Sequence, residues 1–164
     1  MSLTFEKLKA QDIPEIANML TKKEVCKYLN FGPNDFNETK NYFLAMLEDK
    51  NSSNYIFTIR ENSDFVGQCA LLGTDEEDTY LIAYQLDNNF WGKGYGYLAG
   101  KFLIGFAFEN LKAKKIIGDC FSENLGSKKI MEKLGFKLIK TEYKNFNKNG
   151  ILYDTLYFLL KNIS

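Results

Sequence analysis

The chain has 164 residues, 21 of them Lys or Arg and 21 Asp or Glu, and it contains no histidine. That length fits one domain, residues 1–164, large enough to bury a core, and the balanced charge leaves no overall field to attract nucleic acid or an anionic membrane, so neither is expected as a partner. Without histidine, proton transfer near neutral pH falls to carboxylates, phenols, hydroxyls, lysines or water.

Leu3 to Leu8 reads as a short strand. Asp12, Ile13, Pro14 and Glu15 then have the form of a helix start, with a capping aspartate, an early proline and a glutamate three positions on, and Ile13, Ile16, Ala17 and Leu20 supply the buried stripe. Gly32-Pro33 breaks the chain before a second helix, capped by Asp35 with Glu38 and running to about Lys50. Tyr55 to Arg60, Phe65 to Leu72 and Thr79 to Leu86 are three successive strands joined by polar turns, an antiparallel meander.

The segment Asn89 to Tyr97 reads N-F-W-G-K-G-Y-G-Y, so Gly92, Gly94 and Gly96 alternate with larger residues between a strand and a helix. Leu98, Ala99, Phe102, Leu103, Phe106 and Leu111 recur behind it at helical spacing. The first amides of a helix have no internal partner and the macrodipole adds partial positive charge, so a phosphate suits this place. Glycines permit positive φ and close approach to the backbone. A Walker loop would need Ser or Thr where Gly94 follows Lys93, and the dinucleotide fingerprint would need glycine at Tyr97, with Asp119 a poor match for its acidic residue.

Lys115 to Phe121 is a strand, Asn124 to Leu134 a helix ended by Gly135, and Phe136 to Tyr143 another strand. A polar turn, Asn145 to Gly150, leads into the last strand, Ile151 to Leu160. The order βααβββαβαββ predicts a mixed α/β (α+β) fold around one central, mostly antiparallel sheet with helices on both faces. No apolar run nears the roughly twenty residues of a membrane span, and the N-terminus lacks a signal peptide's apolar region, so a cytoplasmic protein is expected. Cys26, Cys69 and Cys120 are scattered, which argues for reduced core residues and against disulfides or a metal site.

The element order, the W-G-K-G-Y-G loop and the run E-N-L-G-S-K-K-I-M-E-K-L-G-F from Glu123 to Phe136 resemble the GNAT superfamily of acyl-CoA-dependent N-acetyltransferases, and within it the RimJ/RimL-like branch. The likeness includes the K-Y-L stretch at Lys27 and Y-D-T-L-Y from Tyr153. It implies acetyl-CoA as co-substrate, no metal, and an amine acceptor, either a peptide N-terminus or a small molecule. The loop would hold the pyrophosphate through Gly92, Lys93, Gly94, Tyr95 and Gly96, with Trp91 where many members have Gln or Arg. The middle strand would diverge from its neighbour at a bulge and offer Gln85, Leu86 and Asp87 to the pantetheine arm. Asn124 would contact that arm, Ser127 would lie near its sulfur, and Lys129 with Lys128 could meet phosphates, although a solvated helix face explains these lysines equally well.

The reaction that the resemblance implies is direct attack of a neutral amine on the thioester. Many members carry a catalytic tyrosine seven residues beyond the helix-opening asparagine, where this chain has Met131; Ser127, with Asn124 beside it, is then either the substitute acid, directly or through water, or a small helix residue chosen for packing. The basic glutamate of some members falls, by counting from the loop, at Tyr80. Asp75 to Asp78 is a solvated turn or an acidic lip, with Glu77 or Asp78 assisting deprotonation through water. Cys120 invites an acetyl-cysteine route, but no activating base lies near it in sequence. A weak base suits an α-amine, with its pKa of about 7.7 to 8.0, better than a lysine near 10.4. Polyamines, amino acids and aminoglycosides stay open as acceptors, as does a non-catalytic acyl-CoA-binding role. The oligomeric state is open too, a homodimer included.

Overall fold

A computed structural model describes residues 2–163. Seven strands form one sheet in the order β1-β2-β3-β4-β5-β7-β6, comprising β1 (Leu3–Lys7), β2 (Tyr55–Glu61), β3 (Asp64–Gly73), β4 (Thr79–Leu86), β5 (Lys115–Phe121), β6 (Lys137–Lys148) and β7 (Ile151–Lys161). Every neighbouring pair is antiparallel except β4 and β5, which run parallel across the centre. The mixed, mostly antiparallel sheet that the sequence predicts is therefore present.

Helices cover both faces. On one lie α1 (Ile13–Met19), α2 (Lys23–Cys26) and α3 (Phe36–Glu48), whose Ile13, Ile16, Met19, Val25 and Phe43 pack with Leu8 into a buried cluster. On the other lie α4 (Tyr95–Gly105), extended by one π-helical turn at Phe106–Asn110, and α5 (Leu125–Lys133). Here Tyr95, Ala99, Leu103 and Met131 pack on Ile59, Leu71, Ile82, Ile116 and Phe158 of the sheet. Met131 is buried, and its sulfur lies 3.2 Å from where a Cβ on Gly118 would stand. That explains an apolar residue at the position where the resemblance implies a tyrosine in many members.

Two glycines let α5 settle close to α4. A Cβ on Gly96 would meet Ile130 Cδ1 at 2.7 Å, and one on Gly100 would meet Leu134 Cδ1 at 2.4 Å. They stand one turn apart on the same helix face, so bare backbone receives the α5 side chains. Gly96 is thus a packing glycine inside α4, and the positive φ expected of all three loop glycines occurs at Gly92 (78°) and Gly94 (80°) only.

Three expectations change in detail. Asp12 stands before α1 but makes no side-chain cap; it accepts hydrogen bonds from the Lys9 amide (3.0 Å), Thr58 (3.0 Å) and Arg60 (2.8 Å). Lys23–Cys26 forms a short helix too brief to show a periodic stripe. The expected turn at Asn145–Gly150 narrows to Asn149 and Gly150, both at positive φ (53° and 84°), because β6 continues to Lys148. As an edge strand with largely exposed side chains and two register shifts, β6 tolerates polar residues that would otherwise signal a loop.

The Asp12 network ties α1 to β2, and Glu15 joins it through Arg60 at 2.6 Å. Burial pushes the Asp12 carboxyl up, but hydrogen bonds from Arg60, Lys9 and Thr58, with the Arg60 charge, more than offset that and leave it below the ordinary carboxylate range. A depressed folded-state value gives stability that is present above the unfolded pKa, about 3.9, and lost as pH falls through the folded value. Asp12→Asn is expected to cost about 2 kcal/mol at neutral pH and to flatten the acid limb of stability; denaturant melts of both proteins between pH 2 and 7 measure this.

Candidate active site

The site begins where two strands part. β4 pairs with β5 only over Thr79↔Lys115, Tyr80↔Ile116 and Leu81↔Ile117. Beyond that, β4 keeps its partner β3 as far as Leu86↔Gly67, and β5 keeps β7 as far as Phe121↔Thr155. Each strand thus holds its outer neighbour and abandons the inner one, opening a cleft between Ile82–Leu86 and Gly118–Phe121. The β3–β4 register is unbroken, so the divergence comes without the bulge that the resemblance implied in that ladder.

Ladder alternation decides which backbone groups face the cleft. The Asp87 amide donates to Val66 O at 2.8 Å. Antiparallel pairs alternate between bonded and non-bonded, so Gln85 and Ala83 also spend their backbone groups on β3, while those of Tyr84 and Leu86 point to the opened edge. Gln85 and Asp87, expected to offer backbone to a ligand arm, instead complete the ladder on the far side. Leu86 stays at the cleft, where its carbonyl accepts from Trp91 Nε1 at 3.0 Å.

The glycine loop closes the upper end. Asp87 Oδ1 accepts from the Asn89 amide at 3.1 Å and Oδ2 pairs with Lys22 at 2.7 Å, so Asp87 anchors the turn with both carboxylate oxygens engaged. Trp91 is 50% exposed, and Lys93 lies over the Phe90 ring at 5.3 Å. No atom comes within 4 Å of a Cβ built on Gly92 or Gly94. The first bond of the α4 ladder is Leu98 N to Gly94 O at 3.2 Å, which leaves the amides of Gly96 and Tyr97 outside it. Tyr95 turns its side chain into the core, where its hydroxyl donates to Glu61. Loop and helix start together leave free helix amides beside open space, an arrangement that suits an anion.

Across the cleft, Asn124 caps α5 by accepting from Ser127 N at 3.2 Å. Ser127 Oγ lies 3.0 Å from Tyr84 OH. The Tyr84 phenol is pushed up to about 12, mainly by burial, partly opposed by Ser127 and reinforced by Cys120. Cys120 is also pushed up, to about 11, again by burial first, against the hydrogen bond from Ser127. At neutral pH both are protonated, so Ser127 sits between a phenol and a thiol, and Cys120 lacks the thiolate that an acetyl-cysteine route needs. Tyr84 escaped the sequence reading because counting from the loop selected Tyr80, four residues earlier on the same face.

Several expected residues lie elsewhere. Tyr80 is still within the paired part of β4, edge to face with Tyr55 at 6.1 Å. Asp78 pairs with Lys114 at 3.6 Å and Glu76 with Lys115 at 2.5 Å, at the end of β4 opposite the glycine loop. Eight strand residues separate the acidic run from the loop, about 25 Å at 3.3 Å per residue, so it cannot form a lip of this cleft. Lys129 is exposed on α5. A carboxylate does line the cleft: Asp119 on β5, two residues past the divergence and paired with Tyr157. It is solvent-accessible, yet surrounded by enough protein that burial raises its carboxyl above the ordinary range. Among the described residues, no cluster of metal-ligating side chains occurs and no helix is long and apolar enough to cross a membrane.

Residues 2–137 match the family model described as acetyltransferase (GNAT) domain. The chain belongs to the GNAT acetyltransferase family. It is 27% identical over 158 residues to the uncharacterized N-acetyltransferase p20 of Bacillus licheniformis, covering 93% of this chain and 83% of that one. Its fold superposes on spermidine N-acetyltransferase from Vibrio cholerae in complex with CoA and spermine (TM-score 0.87, 18% identity, covering 97% and 95% of the two chains). It also superposes on RimL, a ribosomal L7/L12 alpha-N-protein acetyltransferase in complex with coenzyme A (TM-score 0.86, 15% identity, 98% and 94%). This GNAT protein is accordingly an acyl-CoA-dependent N-acetyltransferase.

Two substitutions separate cradle from chemistry. Gly94→Ala forces a left-handed backbone on alanine, at about 1 to 2 kcal/mol; titration calorimetry should show CoA binding weakened about tenfold or more, with kcat at saturating acetyl-CoA nearly kept. Tyr84→Phe removes the partner of Ser127, and steady-state kinetics should show kcat down about tenfold or more with the acetyl-CoA KM little changed.

Proposed function

We propose that residues 1–164 form one GNAT domain that transfers acetyl from acetyl-CoA directly to a primary amine, with α-amines favoured. The observation carrying this reading is the β4–β5 divergence with the Tyr84–Ser127 pair beside it. The pyrophosphate rests at Gly92–Tyr97 and the pantetheine arm pairs with the open edge of β4 at Tyr84 and Leu86. This fits the residues present, because the loop glycines leave space at the cradle and the strand edge has donors to give.

The acceptor nitrogen attacks the thioester carbon, and the carbonyl oxygen gains negative charge opposite the inward amides of β4. The carbon–sulfur bond then breaks and the sulfur leaves as thiolate. Ser127 donates a hydrogen bond to it, backed by the protonated Tyr84 phenol. Overall one proton moves from the acceptor nitrogen to the sulfur. Asp119, on the same sheet face as Ala83 and Gln85, takes the nitrogen's proton directly or through water, the role expected earlier of Tyr80 or Asp78.

A carboxylate is a weak base toward an ammonium of pKa near 10.4, and about a tenth of an α-amine is already neutral at pH 7. A peptide with a free N-terminus should therefore be acetylated faster than its N-blocked, lysine-containing twin, read by thiol release from acetyl-CoA. Preference for the lysine, or no thiol release with any amine, would overturn the reading.

A further inference from the structure

A second cavity lies on the opposite side of β4 from the Tyr84–Ser127 pair. Its volume is about 410 Å³, and its floor is Gln68 and Ala70 of β3 with Ala83 and Gln85 of β4, while α3 supplies Glu38, Thr39, Tyr42 and Phe43. Ala83 and Gln85 flank Tyr84, so the cavity reaches the strand whose open edge faces the cleft. Its size is that of a small-molecule pocket or one residue's side chain.

The lining is mostly apolar, with two polar atoms left without partners. Gln68 donates its amide to Gln85 Oε1, but Gln68 Oε1 has no partner, and neither has Thr39 Oγ1. Both residues are only 5% exposed. Thr39 Oγ1 does not bond the carbonyl one turn back either, although the Thr39 amide donates to Asp35 O at 3.1 Å as in any helix. A buried oxygen without a donor is destabilising, a penalty that a ligand's N–H would remove. Glu38 is the one charged side chain in the lining, and Lys and Arg are absent from it.

The lining is also held in place from outside. Lys148, near the tip of the β6–β7 hairpin, donates to the carbonyls of Cys26, Leu29 (2.6 Å) and Phe31 (3.2 Å). That fixes the loop that brings Phe31 and Asn34 to the pocket wall.

We infer that this cavity reads the non-reacting end of the acceptor: an apolar stem ending in an N–H donor, a cation in preference to a neutral group, received by Gln68, Thr39 and Glu38. The inference rests on the proposed transfer to an amine in the neighbouring cleft. A carboxylate end is rejected, because it would meet the Glu38 carboxylate with no Lys or Arg in the lining to offset the repulsion.

Titration calorimetry on the full chain saturated with CoA tests this with the α-amides of lysine, norleucine and glutamate. All three share the α-amine and the neutral amide and differ in the side-chain end. Lysine α-amide should bind at least tenfold more tightly than norleucine α-amide, and glutamate α-amide most weakly. Thr39→Val and Glu38→Gln should each shrink the lysine-to-norleucine ratio by threefold or more, with CoA affinity serving as the folding control. Equal binding of the three, tighter binding of the glutamate compound, or a ratio unmoved in both variants would overturn the inference. Acetylation of the same compounds is scored separately: binding with this selectivity but no turnover would leave the pocket standing and count against the proposed transfer.

Discussion

The parting of β4 from β5 after Leu81 and Ile117 is the constraint on which the rest depends. A strand inside a sheet has no backbone group to offer a ligand, because each N–H and C=O is already paired. Here each strand keeps its outer ladder and loses the inner one, so Tyr84 and Leu86 retain groups that a flexible arm can pair with. The cost of unpairing is limited because backbone groups on an open edge can bond to water. Other features of the site follow from the location of that gap: the loop ends β4 at its open side, and Asp119 and Cys120 reach it from β5.

Packing on the helical face holds the gap at a working width. Gly96 and Gly100 let Ile130 and Leu134 approach the α4 backbone, which brings the start of α5, and with it Ser127, against Tyr84. The buried Met131 completes that contact in a place where a tyrosine would bring a hydroxyl. The Tyr84–Ser127 pair joins two elements, so its spacing depends on helix-to-sheet packing and not on one helix turn.

Much of the fold was legible because strong local signals coincided with tertiary needs. β4 and β5 match their expected bounds, and Asp35 caps α3 through the Glu38 amide at 3.0 Å. The errors have physical sources. Asp12 has the look of a cap, but Arg60 and Thr58, distant in sequence, claim its carboxylate. Asn145 to Lys148 are polar in an edge strand that can afford to be. The anion cradle was readable from its glycines, whose function is backbone and local. The side chains beside the gap were legible only in part: Ser127 was expected from the resemblance, whereas its partner Tyr84, and Asp119 on the opposite face of the sheet, take their places only through the β4–β5 register and the α4–α5 contact. Gln68 and Thr39 carried no motif; only their missing partners in the folded chain mark them.

Residue-resolved amide exchange by NMR, with and without CoA, tests the open-edge account most directly. The account predicts that CoA slows exchange at Tyr84 and Leu86 on β4 and at Gly96 and Tyr97 on α4, while Gln85, already bonded to β3, is unchanged. CoA binding that leaves Tyr84 and Leu86 exchanging as before would contradict it.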